Sequence, residues 1–91
     1  MSSETVVREG LELLLRKITR EMAMVESRLQ RIARRLGLSS WRELDDLFAS
    51  SNIDNPEIDT LWPEYLYLRE RLEKLKKRRK EVLERLGSVE S

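Results

Sequence analysis

Residues 61–86 read LWPEYLYLRERLEKLKKRRKEVLERL, and the spacing of their apolar side chains decides the fold. Leu61, Tyr65, Leu68, Leu72, Leu75, Arg79, Val82 and Leu86 follow one another in steps of four and three. That is a strict heptad with one charged intruder, Arg79. An α-helix turns once in about 3.6 residues, so this spacing draws a single stripe along one side of a helix. Such a stripe needs a partner to cover it.

The N-terminal third supplies one. Val7, Leu11, Leu14, Ile18, Met22, Val25, Leu29, Ile32 and Leu36 form a second stripe with a mean step of about 3.6 residues. Laid antiparallel, positions that sum to 97 match: Leu36 with Leu61, Ile32 with Tyr65, Leu29 with Leu68, Val25 with Leu72, Met22 with Leu75, Leu11 with Leu86. In this register Ile18 faces Arg79, and Glu21 is the candidate counter-ion. The expected fold is all-α: a long antiparallel helical hairpin, coiled-coil-like, with a short helix at its connecting end.

The boundaries follow from capping chemistry. The first long helix spans about 3–36, with Ser2 or Ser3 as N-cap and Gly37 at the left-handed position after its end. Ser40 with Glu43 forms a capping box that opens a short helix over about 40–49, with Trp41, Leu44, Leu47 and Phe48 on its apolar face. Residues 50–55 form a loop. Asn55-Pro56 starts the last helix, about 56–86, which Pro63 either kinks or restarts and Gly87 ends. The whole chain, 1–91, forms one domain.

Composition narrows the function. The 91 residues contain neither Cys nor His, which excludes disulfides, thiol nucleophiles, imidazole acid–base chemistry and the usual zinc sites. There is no Gly-rich phosphate loop and no nucleophile–base pair. Glu43, Asp45 and Asp46 cluster, but adjacent acids on a helix point apart and complement the helix dipole. They are expected to be a solvated helix start. The expectation is therefore a non-enzyme without cofactors. No apolar run approaches the roughly 20 residues of a membrane span and no signal peptide opens the chain, so it reads as a cytoplasmic protein with no membrane partner. Charged residues make up 38 % of the chain and amides are few, a balance that resembles thermophile proteins.

Two surpluses remain. Leu13, Leu14 and Leu15 spread over more than half the circumference of the first helix, and Leu61, Trp62, Tyr65, Leu66, Tyr67 and Leu68 nearly encircle the last. Leu13, Leu15, Trp62, Leu66 and Tyr67 are thus candidates for a partner interface, most simply with a second copy in a homodimer. Charge is also segregated. Residues 1–39 carry a net +3, residues 40–64 a net −6 and residues 65–91 a net +4. Within the last block stands KLKKRRK, 74–80. Lys74 and Lys77 have acidic partners four residues back, Glu70 and Glu73. In the register above, the remaining cations join those of the first helix, so that Arg16, Lys17, Arg20, Lys76, Arg78, Arg79 and Lys80 form one patch. Such a patch suits an acidic partner, or nucleic acid held through its phosphates.

The stretches RRLGLSSWRELDDLF (34–48) and LWPEYLYLRERLEKL (61–75) set a helix, a glycine, a short helix and a tryptophan-bearing helix in succession. In this layout the chain resembles small archaeal helical-hairpin proteins considered antitoxin partners of small ribonuclease toxins. The resemblance implies a non-enzymatic protein that binds a toxin. The DNA-binding element that antitoxins often add is not evident here.

Overall fold

A computed structural model describes residues 3–50 and 55–90. Among them the fold is all-α: helix α1 (Ser3–Arg35), a 3₁₀ turn (Trp41–Glu43) continued by the short helix α2 (Leu44–Ala49), and helix α3 (Pro56–Glu90). The two long helices pack side by side in a rod of 61 × 20 × 18 Å. The apolar stripes meet between them, with Ile18, Val25, Leu29 and Ile32 from α1 and Leu61, Tyr65, Leu68, Leu72, Leu75, Val82 and Leu86 from α3 all buried.

Local chemistry sets the ends. Gly37 takes φ +80°, the conformation that side chains beyond glycine avoid. Around it the Leu38 N–H donates to the Ala33 carbonyl at 2.8 Å and the Gly37 N–H to the Arg34 carbonyl at 3.1 Å. These bonds satisfy the last carbonyls of α1 and turn the chain. Ser40 caps the 3₁₀ turn through its hydroxyl, which accepts from the Arg42 N–H at 3.3 Å, whereas Glu43 accepts from Ser39 instead of closing a capping box. Asn55 caps α3, its side-chain oxygen accepting from the Glu57 N–H at 3.0 Å. Ser2, the alternative cap of α1, and loop residues 51–54 lie outside the described residues.

Three expectations need correction. First, α3 is continuous through Pro63, so the proline does not restart it. Pro63 is the eighth residue of α3, where a proline removes one backbone bond, and here the residue is exposed. Second, α3 runs through Gly87 to Glu90. Glycine lowers helix propensity but ends a helix only when the chain turns away into the left-handed region.

Third, the register differs. Glu21 pairs with Arg71 at 2.8 Å, Arg28 with Glu64 at 3.3 Å and Arg35 with Glu57 at 3.0 Å. As positions rise along α1 their partners fall along α3, so the helices run in opposite directions. Each pair sums to 92, about one helical turn away from the 97 expected. Ile18 accordingly lines one groove with Leu75, and Ile32 another with Leu61. Sliding one heptad past another by a turn still places apolar on apolar, so the stripes alone could not choose. The charges beside the seam and the anchored connection choose. Glu21 is thereby committed to Arg71 and is not the counter-ion of Arg79, which is exposed.

Candidate functional site

The short helix is tied down by a polar cluster that reading the sequence missed. Asp45, expected to be solvated, accepts two parallel hydrogen bonds from Arg69: Nε to Oδ1 at 2.9 Å and Nη2 to Oδ2 at 2.9 Å. The Tyr65 hydroxyl donates to the same carboxylate, and the Arg69 guanidinium lies 5.5 Å from the centre of the Trp41 ring. Burial pushes the Asp45 carboxyl up, but the bonds from Tyr65 and Arg69 and the charges of Arg69 and Lys76 outweigh it and hold the group below its ordinary value. Burial, then the bond and charge of Asp45, push the Tyr65 phenol up to about 12. A second clasp is Gln30, whose amide donates to the Ser39 carbonyl at 3.0 Å and accepts from the Trp41 N–H at 3.1 Å. The spacing of Asp45 and Arg69, 24 residues apart, carries no local signal. Only the packing of α2 on α3 brings them together.

Around this cluster the aromatic rings join. Phe48 stacks on Tyr65 with centroids 4.1 Å apart, and Trp62 tilts against Phe48 at 5.2 Å. Trp62 nevertheless remains 39 % exposed and Leu66, one turn on, 45 %. Counting about 100° per residue from Leu61 at the seam, Trp62 and Leu66 point to the α2 side, while Tyr67 points to the other side. Tyr67, 56 % exposed, lines a separate shallow groove with Glu70, Arg71 and Lys74. The predicted apolar interface is therefore divided. Leu13 is 64 % exposed on the outer face of α1, whereas Leu15 is half-buried against the core.

The predicted cationic patch is divided as well. All seven residues are exposed, but the shifted register and the helix angles point them in different directions. Lys17 and Arg78 share a groove on the ion-pair side of the seam, with Arg71, Glu21, Ile18 and Leu75 along its walls. Lys76 and Lys80 point to the α2 side, and Lys76 pairs with Glu73 at 3.5 Å. Arg16 and Arg20 face outward from α1, and Arg79 lies over the seam itself. Of the predicted local pairs, Glu70–Lys74 forms at 3.0 Å, while Glu73 takes Arg69 at 3.2 Å besides Lys76.

Comparison with protein-family models, with curated proteins and with solved structures found no match for this chain. The surface itself must carry the functional reading. Among the described residues no group of three acidic or other ligating side chains could hold a metal ion, and no helix is long and apolar enough to cross a membrane. The grooves along the seam are shallow and walled by long charged side chains.

Proposed function

We propose that this chain is a non-enzymatic protein-interaction module, an antiparallel coiled-coil-like hairpin with a short helix folded at its connecting end, which self-associates as a dimer. The observation that carries the reading is the apolar surface left uncovered beside the seam. Trp62 and Leu66 stand exposed next to the aromatic cluster, and Leu83, on α3 near the open end, is 44 % exposed. A rod built on a single seam buries a small fraction of its surface, and a second copy covers what the chain itself leaves bare. Light scattering on a sizing column tests it. The expected mass is twice 10.8 kDa, and a monomer that persists at high concentration would overturn the proposal.

A second reading has an observation of its own. Lys17, Arg71, Lys74 and Arg78 line one groove with a single acid, Glu21, which suits a phosphate backbone or an acidic peptide. Binding to duplex or single-stranded nucleic acid would then fall steeply with salt and on neutralising Lys17 and Arg78. The antitoxin-like role implied by the resemblance rests instead on the apolar surface at Trp62 and Leu66. It predicts a protein partner that survives high salt during native purification. All three readings place this protein at an interface, and cytoplasmic residence accords with each.

A further inference from the structure

The two sides of the helix seam are not equivalent. On one side it is closed along much of its length by Glu21–Arg71, Arg28–Glu64 and Arg35–Glu57. On the other side the short helix covers it, but only near the connecting end. There Trp41, Leu44 and Phe48 are buried beside Ala33 and Tyr65. Farther along the same side, helix geometry places Leu11, Leu15 and Met22 of α1 and, nearer the open end, Leu83 of α3. The first three are only half-buried and Leu83 is exposed. The molecule is three helices thick at one end and two at the other, and this half-covered side is where the third helix stops.

We infer that this side is the dimer face, covered by a second copy of the same chain lying antiparallel to the first, with the two-fold axis crossing the long helices near their middle. The inference deepens the self-association proposed above and rests on it. Charge decides the orientation. Residues 20–72, the half that holds the connection and the short helix, carry a net −2, residues 1–19 are neutral and residues 73–91 at the open end of α3 carry a net +3. A two-fold that reverses the rods lays the acidic connecting end of each copy along the basic open end of the other, where Lys76, Arg79 and Lys80 stand. A parallel alignment would superimpose like charges. The same reversal carries Trp62 and Leu66 of each copy, at the outer edge of its short helix, towards Leu15 and Leu83 of the other. A side 61 Å long and about one helix diameter, ~10 Å, wide offers roughly 600 Å² of plane area per copy, the order of magnitude that a specific interface buries.

The chain contains no cysteine, so single introduced thiols report the contact cleanly. Trp62→Cys and Leu83→Cys chains, mixed and oxidised, are expected to cross-link to each other and neither to itself, because antiparallel copies bring unlike ends together. Leu83→Glu is expected to convert the dimer to a 10.8 kDa monomer with its helical circular dichroism intact, since Leu83 is exposed in the single chain. Self-cross-linking of either thiol, or a dimer that tolerates Leu83→Glu with no cross-link at all, overturns this face and orientation while self-association stands. A wild-type chain that is monomeric at every concentration overturns both.

Discussion

Arg69 holds both carboxylate oxygens of Asp45, each through a 2.9 Å bond, across 24 residues of sequence. Planar guanidinium and planar carboxylate match two bonds at once, which fixes direction as well as distance. With Tyr65 donating to the same carboxylate and Trp41 beside the guanidinium, the pair latches the short helix onto α3. The Arg69 side chain is 22 % exposed and that of Asp45 43 %, so water screens the latch partly and its contribution is moderate.

Arg69→Ala should therefore lower stability by about 1–2 kcal/mol, less than a fully buried pair would cost. Arg69→Lys should recover less than half of that, because an ammonium cannot make the paired bonds. Urea denaturation followed by circular dichroism measures both, and an unchanged midpoint in Arg69→Ala would remove the latch from the account.

The same cluster makes stability depend on pH at both extremes. The folded Asp45 pKa lies below its unfolded value, so its contribution is present above about pH 4 and is lost as pH falls through the folded value. Tyr65 is the opposite case. Its folded pKa of about 12 lies above the unfolded value near 10, so its contribution is complete below about pH 10 and is lost as pH rises towards 12. Asp45→Asn should flatten the acid limb of a stability–pH profile and also shrink the alkaline limb, because the bond and charge that help to raise the Tyr65 phenol are lost. Tyr65→Phe should remove the alkaline limb and leave a reduced acid limb held by Arg69.

Two double variants, each introducing a pair of thiols, discriminate the register. Ile18→Cys with Leu75→Cys, which line one groove, should oxidise to an intramolecular disulfide. Ile18→Cys with Arg79→Cys, facing one another only in the register that sums to 97, should not. Non-reducing electrophoresis and peptide mapping of the monomer fraction read the result directly, and the reverse pattern would restore the other register.

Core and surface leucines should differ sharply. Leu72 is fully buried, and Leu72→Ala should cost roughly 2–5 kcal/mol through lost burial and the cavity left behind. Leu13→Ala, on the outer face of α1, should change stability by no more than about 0.5 kcal/mol. Thermal melts of the two variants at matched low protein concentration compare them.

The elements themselves were legible in the residues. The stripes 7–36 and 61–86, the Gly37 turn, the Ser40 and Asn55 caps and the apolar face of the short helix all reflect rules that act within a few residues. Helix periodicity and capping need no distant partner, which is why they can be read in one dimension. Gly87 misled because it weakens a helix without being able to end one that packing supports, and of the two readings of Pro63 the continuous helix excludes the restart.

What only the tertiary structure decided is the lateral arrangement. Two heptads slide past each other in steps of one turn with little change in apolar match. The choice falls to Glu21–Arg71, Arg28–Glu64 and Arg35–Glu57 and to the Gln30 clasp on the connection. A shift of one turn then rearranges every surface built across the seam. Lys17 and Arg78 come together across it, and the packing of the short helix on α3 brings Asp45 to Arg69. The parting of Lys76 and Lys80 from Arg78, and of Trp62 and Leu66 from Tyr67, follows from their angles around α3 alone. The helices follow from local spacing, but the surfaces they share depend on which turn of one rests against which turn of the other, and that is settled by contacts between residues far apart in the chain.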